Sequence, residues 1–99
     1  MSEACILEFN GVGADEYHEV NGYLGVDQAT GEGDWPAGML SHTGCLGDHG
    51  NVMVFEVWES QQAQQAFMEA RLGAALSKAG LPEPSRFEWL SVEGHWHRS

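Results

Sequence analysis

Apolar and polar residues alternate along four segments of the chain, as they do in β-strands, whose successive side chains point to opposite faces. These segments are residues 4–10, 38–46, 51–58 and 86–97. In the first segment, Cys5, Leu7 and Phe9 share one parity, whereas the other parity mixes apolar and polar residues. The pattern therefore predicts a first strand with one deeply buried face and one half-polar face.

Two further segments place apolar residues at helical spacing. Residues 14–24 are predicted to form a short helix that Gly25 ends, and residues 59–79 a longer one that begins near Ser60 and ends at Gly80. The apolar positions of the longer helix are Ala63, Phe67, Ala70 and Ala74, widened by Met68, Leu72, Ala75 and Leu76. Between the first helix and the second strand, residues 25–37 read as a loop long enough to serve as a lid or binding loop.

The second and third strands are separated by Gly47-Asp48-His49-Gly50, which predicts a β-hairpin. A four-residue turn would pair Leu46 with Asn51, His42 with Phe55, and Leu40 with Val57. The face carrying His42 would then hold Leu40, Leu46, Met53, Phe55 and Val57, and the opposite face Ser41, Thr43, Cys45, Val52, Val54, Glu56 and Trp58. On this register His42 is predicted to point toward the helices.

The predicted order of elements is strand, helix, strand, strand, helix, strand. This order indicates an α+β fold of the ferredoxin-like βαββαβ type, with a four-stranded antiparallel sheet and two helices on one face, in a single domain over residues 1–99. The uncovered face would carry Ile6, Val52, Val54 and Trp58, a larger apolar patch than monomers usually expose. We therefore expect a homodimer that buries this face.

Composition narrows the possible partners. Acidic residues number 15 against 4 lysines and arginines, so the formal net charge is −11. Neither nucleic acid nor an anionic membrane surface is expected as a partner, because phosphate contacts need clustered cations. There is no apolar run of membrane-spanning length and no basic region at the N-terminus, so a cytoplasmic protein is expected.

Cys5 and Cys45 do not make a disulfide framework, and strand parity directs Cys5 toward the helices and Cys45 away from them.

One stretch resembles a known family. Val57-Trp58-Glu59-Ser60, followed by Ala63 and Phe67 and then by Leu72, Ala75 and Leu76, is similar to the strand-to-helix signature of antibiotic-biosynthesis-monooxygenase-like proteins. The resemblance implies a dimeric α+β barrel with a ligand cavity between the sheet and the helices. The superfamily includes cofactor-free quinone-forming oxygenases, haem-degrading oxygenases, lactone isomerases and proteins without a known reaction.

The haem-degrading branch fits this sequence poorly. Its pattern has a tryptophan where this chain has Phe67, a haem-ligand histidine on the second helix, and an asparagine on the first strand. Here no histidine lies between Ser60 and Gly80, and the asparagine position falls near Cys5. No cofactor is therefore expected.

Three polar residues are candidates for catalysis in the cavity. His42 is the first, because imidazole ordinarily titrates near neutral pH and can act as a base, although a hydrogen-bonded core histidine would show the same pattern. Tyr17 on the first helix and Arg71 on the second are candidates to stabilise a substrate anion. Alternatively, Arg71 extends to solvent and pairs with Glu69 or another nearby acid.

Two other sets of polar residues are candidates for a metal site and for acid–base catalysis. His95 and His97 share a strand face with Glu93, but zinc sites need at least three protein ligands and strand ends fray, so no metal is expected. Glu8 and Glu56 are predicted to face the partner subunit. There, a hydrogen bond across the interface is a simpler interpretation than paired acid–base catalysis.

The function expected from these observations is that of a small-molecule enzyme resembling cofactor-independent monooxygenases. It would act on an apolar aromatic or polyketide-like substrate, with His42 as the base and Tyr17 or Arg71 as the anion partner. Aromatic residues expected to line the cavity are Phe9, Trp35, Phe55 and Phe67. The alternative is a non-catalytic dimeric ligand-binding or stress-related α+β barrel protein.

Overall fold

The predicted strands form one antiparallel sheet in the computed structural model, which describes residues 3–96. The strands are β1 (Glu3–Phe9), β2 (Met39–Leu46), β3 (Val52–Trp58) and β4 (Arg86–Ser91). The last strand is shorter than the predicted 86–97, because residues 92–96 are irregular. Their order across the sheet is β2-β3-β1-β4, and every neighbouring pair is antiparallel. With the helices described next, this confirms the ferredoxin-like α+β prediction.

The two predicted helices are also present. Helix α1 spans Ala14–Leu24, and Gly25 ends it in the left-handed conformation at φ 76°. The second helical region consists of α2 (Gln61–Phe67), a π-helical segment (Met68–Leu72) and α3 (Gly73–Lys78), joined without a break. It begins where predicted, because the Ser60 side chain accepts a hydrogen bond from the Ala63 amide at 3.1 Å. The π segment was not predicted.

The predicted β2–β3 register is wrong by one residue. The turn contains five residues, 47–51, and is closed by the Gly47 amide donating to the Asn51 carbonyl at 2.7 Å. His42 therefore pairs with Glu56 and not with Phe55, and Leu46 pairs with Val52. A one-residue slip turns every side chain of one strand to the other face. The face of β3 that meets the helices therefore carries Val52, Val54, Glu56 and Trp58.

The hydrophobic core lies between the sheet and the helices. Cys5, Leu7 and Phe9 of β1 point into it, as their parity predicted, and Trp58 at its centre is fully buried. From the other elements the core takes Val12, Val20, Val52, Val54, Phe67, Ala75 and Leu76. No helix within residues 3–96 is long and apolar enough to cross a membrane.

The opposite face of the sheet has no helix on it. Pairing places Ile6, Phe55 and Thr43 in one row across this face, and Ala4, Val57 and Leu90 in the next. Phe55 is 42% exposed and Leu90 39%. The predicted dimer patch is therefore corrected: Ile6 belongs to the uncovered face, but Val52, Val54 and Trp58 are buried beneath the helices.

Candidate active site

A cavity of about 60 Å³ lies between the sheet and α1 and reaches the second helical region. Its walls are mostly apolar, with Leu7, Phe9, Val12, Val20, Val54 and Phe67 among them. An outer pocket of about 380 Å³, which opens to solvent, shares Trp35, Met39 and His42 with the inner cavity. His42 therefore stands at the boundary between an enclosed apolar space and an accessible one.

Both ring nitrogens of His42 have partners. Nε2 lies 2.7 Å from the Tyr17 hydroxyl oxygen, and Nδ1 lies 2.8 Å from Glu56 Oε2. The His42 and Glu56 side chains are only 11% and 6% exposed. Because a carboxylate can only accept, a neutral His42 carries its proton on Nδ1 and accepts from the Tyr17 hydroxyl at Nε2. We call Tyr17, His42 and Glu56, in this order, the relay.

Glu56 is the fixed end of the relay. Its Oε1 accepts a hydrogen bond from Trp58 Nε1 at 3.0 Å and one from the Cys5 thiol at 3.8 Å. Burial, reinforced by the neighbouring Glu56 charge, raises the pKa of Cys5 to about 12, so this thiol stays protonated at neutral pH. The prediction that Glu56 faces a partner subunit is wrong, because Glu56 pairs with Cys5 and His42 on the face of the sheet that meets the helices.

Tyr17 reaches His42 because Gly44 leaves room for its ring. Gly44 lies on β2 two residues beyond His42, on the same face of the sheet. A Cβ atom at Gly44 would overlap the Tyr17 hydroxyl and ring. The Tyr17 and His42 rings are stacked at 12°, with centroids 6.1 Å apart. The glycine thus sets the position of the outer member of the relay.

Replacing Gly44 by alanine is expected to displace Tyr17 from His42. The added methyl group and the tyrosine cannot occupy the same space, so the ring must rotate or the strand must shift, which costs about 1–3 kcal/mol of stability. Denaturant unfolding measures this loss, and the histidine NMR signals report the broken Tyr17–His42 hydrogen bond. The control is Gly44→Ala in a Tyr17→Ala background, where the overlapping ring is absent and the added methyl group should cost little further stability. Unchanged His42 signals in Gly44→Ala would contradict the assignment.

The loop at residues 25–38 covers the outer side of this site and is called the lid. Within it, Val26 and Gly33 form an antiparallel bridge, and the Asp27 amide donates to the Glu32 carbonyl at 2.9 Å. Gln28 of the lid donates from Nε2 to the Tyr17 hydroxyl oxygen. The indole of Trp35 lies 6.0 Å from the His42 ring, centroid to centroid. The lid therefore contacts two members of the relay.

Arg71 does not join the relay. Its guanidinium donates to the carbonyls of Leu24 at 2.8 Å and Asp34 at 2.6 Å, and lies 3.4 Å from the Asp34 carboxylate. It also lies over the Phe67 ring, 5.5 Å from the centroid. Arg71 therefore ties the end of α1 to the lid, and of the acids that the alternative interpretation allowed its ionic partner is Asp34. The structure does not bring it to the substrate position that the sequence suggested.

Three of the four predicted aromatic residues line the cavity, namely Phe9, Trp35 and Phe67. Phe55 does not, because it pairs with Ile6 and Thr43 on the uncovered face. Sequence reasoning missed the roles of Glu56 and Gln28. A five-residue turn would have placed Glu56 opposite His42, and a carboxylate opposite a histidine on paired strands is a recognisable signal, whereas nothing in the sequence pattern indicates Gln28.

The two cysteines and the histidine pair are the remaining residues that the sequence singled out. Cys5 points toward the helices and Cys45 lies on the uncovered face, as predicted, and both are free thiols. Of the histidine pair, His97 lies outside the described residues. Within residues 3–96, no cluster of three or more histidine, cysteine or acidic side chains is arranged to hold a metal ion.

No protein-family model and no curated protein matches the chain. Solved structures do match. An antibiotic biosynthesis monooxygenase candidate from Chloroflexus aurantiacus J-10-fl is 14% identical with a TM-score of 0.64, covering 97% of this chain and 98% of its own. The Streptomyces coelicolor monooxygenase from the gene ActVA-Orf6, solved with nanaomycin D, is 23% identical with a TM-score of 0.62. The match covers 99% of this chain and 93% of the monooxygenase chain.

A third match is SnoaB, a cofactor-independent oxygenase from Streptomyces nogalater. It is 10% identical with a TM-score of 0.62, and the alignment covers 95% of each chain. Identities this low carry the fold and not the activity. The resemblance seen in the sequence is thereby confirmed at that level: this chain has the ferredoxin-like α+β fold of the antibiotic-biosynthesis-monooxygenase-like proteins.

Proposed function

We propose that the protein is a small-molecule enzyme of the cofactor-independent monooxygenase type, acting on an apolar aromatic or polyketide-like phenol. The observation that carries this proposal is the relay, in which Tyr17, His42 and Glu56 are joined by hydrogen bonds of 2.7 and 2.8 Å at the edge of an apolar cavity. Tyr17 and His42 both line this cavity, and His42 also lines the pocket that opens to solvent, so the relay lies where a ligand could meet it.

In this proposal the three residues of the relay have different roles. Because both nitrogens of His42 are occupied, the group that meets the substrate is the Tyr17 hydroxyl. A substrate hydroxyl that donates to the Tyr17 oxygen can pass on its proton while Tyr17 gives its own to His42 Nε2. Glu56 then stabilises the imidazolium through Nδ1–H, and the substrate is left as a phenolate. Tyr17 thus acts as the proton carrier, His42 as the base and Glu56 as the residue that orients the base.

The phenolate supplies the electrons for the oxidation. A phenol with a free ring position and O₂ give a quinone and water, so that one oxygen atom enters each product and no external reductant is needed. Two of the structural neighbours are described as a monooxygenase and a cofactor-independent oxygenase, which supports this reaction class. The departures from the haem-degrading pattern at Cys5 and Phe67 support a reaction without a cofactor.

Substrate access requires the Trp35 side chain to move. An inner cavity of about 60 Å³ is much smaller than the 300–1,000 Å³ of typical small-molecule sites. The outer pocket of about 380 Å³ is separated from it by shared residues that include Trp35. Movement of the Trp35 side chain would join the two spaces at the relay and provide room for an aromatic ring system, while the turn around Gln28 stays in place.

We also propose that residues 1–99 form one domain that works as a homodimer in the cytoplasm. The uncovered sheet face, with Phe55 and Leu90 exposed at 42% and 39%, supports the dimer. The partner would cover this face only. The relay lies on the other side of the sheet, so each subunit would hold a complete relay of its own.

One observation favours the alternative of a non-catalytic ligand-binding protein. The inner cavity is small and almost wholly apolar, as expected for a site that only encloses a ligand. Such a protein would bind an aromatic compound without consuming oxygen. The two functions therefore differ in whether the protein consumes oxygen when the aromatic compound is bound.

The test is oxygen uptake with polyhydroxylated naphthalenes, followed with an oxygen electrode and by quinone absorbance. The enzyme is expected to consume O₂ in step with quinone formation, and Tyr17→Phe and His42→Ala are each expected to lower the rate by about 10²–10⁴-fold, the usual contribution of general acid–base catalysis. Binding measured by fluorescence quenching, without oxygen uptake above that of buffer, would establish the ligand-binding alternative instead.

A further inference from the structure

We propose that Gln28 stabilises the anion formed on the substrate, donating a hydrogen bond from its side-chain amide to the substrate oxygen that Tyr17 deprotonates. This proposal rests on the proposed function. It assigns a role to a lid residue that neither the sequence pattern nor the relay itself indicates.

The first support is the position of the amide. Gln28 Nε2 donates to the same hydroxyl oxygen of Tyr17 that donates to His42. An amide nitrogen carries two hydrogens, and only one is used in this bond. A substrate oxygen bound to Tyr17 would lie beside Gln28 Nε2, within reach of the second hydrogen. The donor is therefore present where negative charge would develop.

The second support is that the backbone around Gln28 is fixed. Asp27 Oδ1 accepts hydrogen bonds from the amides of Ala29 at 2.9 Å and Thr30 at 3.3 Å, and the Gly31 amide donates to the Asp27 carbonyl at 2.8 Å. These bonds enclose Gln28 in a small turn. Its side chain thus extends from a rigid support, as preorganised stabilisation of an anion requires.

The third support is the charge around the site. Among the described residues, neither the inner cavity nor the outer pocket is lined by lysine or arginine. Arg71, which contacts the lid, is held by the carbonyls of Leu24 and Asp34. The lid itself carries three carboxylates, at Asp27, Glu32 and Asp34. A phenolate in this acidic setting has no cationic partner along the pocket walls, and Gln28 is placed to donate a hydrogen bond to it.

The experiment uses 4-nitrophenol, whose neutral and ionised forms absorb at different wavelengths. The probe is bound at saturating protein, and the ratio of phenolate to phenol is measured against pH. Wild-type protein is expected to raise this ratio relative to Gln28→Leu by about tenfold, the size expected for one hydrogen bond to a charged oxygen. Gln28→Glu, which has the same size but places a carboxylate at the site, is expected to lower it further.

Two matched variants separate the possible outcomes. Glu32→Gln changes the charge of the same lid by one unit away from Tyr17 and is expected to alter the ratio less than about twofold, since exposed charges are screened. Equal ratios in wild type and Gln28→Leu, with the ratio still lowered in Tyr17→Phe, would overturn the role of Gln28 and leave the proposed function intact. A ratio that Tyr17→Phe does not change would overturn the proposed function, and the role of Gln28 with it.

Discussion

Replacing Glu56 by alanine is expected to destabilise the fold by about 3–5 kcal/mol. The Glu56 side chain is only 6% exposed, and its carboxylate accepts hydrogen bonds from His42 Nδ1 and Trp58 Nε1. Its removal leaves both donors buried without partners and opens a cavity beside a tryptophan at the centre of the core. For a domain of this size the melting temperature should fall by at least about 12 °C. Denaturant unfolding followed by tryptophan fluorescence measures the loss directly.

The matched control is Glu56→Gln, which preserves the volume. Its carbonyl oxygen can still accept from His42, but its amide group then faces the indole N–H of Trp58, donor against donor. The expected loss is about 1–2 kcal/mol, the cost of one unsatisfied buried group. If Glu56→Ala were within about 0.5 kcal/mol of wild type, the carboxylate would not be the buried acceptor that the structure shows.

The elements were predictable because their signals are local. Helix α1 occupies the predicted residues 14–24, and Ser60 caps the second helical region as expected. The alternation of Cys5, Leu7 and Phe9 identified the buried face of β1 correctly, because the other parity contains Glu8. Each of these features depends on residues within one or two turns or one strand, which is the range over which periodicity and capping act.

The register of β3 was not predictable in the same way. Both of its faces are apolar, with Val52 and Val54 on one and Met53 and Phe55 on the other, so alternation does not say which is buried. The turn could hold four or five residues, and that choice decides the pairing. The orientation of His42 was nevertheless correct, because an error in the register and an error in the buried face of β3 cancelled.

The lid contacts could not be derived from the sequence at all. Arg71 binds main-chain carbonyls 37 and 47 residues away, and Gln28 of the lid bonds to Tyr17, 11 residues earlier on α1. Such bonds depend on the path of the lid, which no periodic pattern describes. This is also why Arg71 was assigned to the anion: its residue type suits that role, but its position in the fold gives it another.

Phe55→Lys is expected to convert the proposed dimer to a monomer. Phe55 lies in the middle row of the uncovered face between Ile6 and Thr43, and an ammonium group there would be buried without a partner in the dimer. A stable interface buries more than about 1,000 Å² in total, which the central rows of a four-stranded face can supply. Sedimentation equilibrium at micromolar concentration measures the association.

The control for this change is Gln65→Lys, which adds the same positive charge on the exposed side of α2. It is expected to remain dimeric. Because each copy carries a formal net charge of −11, the subunits repel one another, and association of the wild type should strengthen as salt screens this repulsion. The Phe55→Lys change reduces the negative net charge of each subunit and yet should abolish the dimer. Charge repulsion between subunits therefore cannot account for that result. A wild-type protein that stays monomeric at high salt would show that the uncovered face does not bind a second copy.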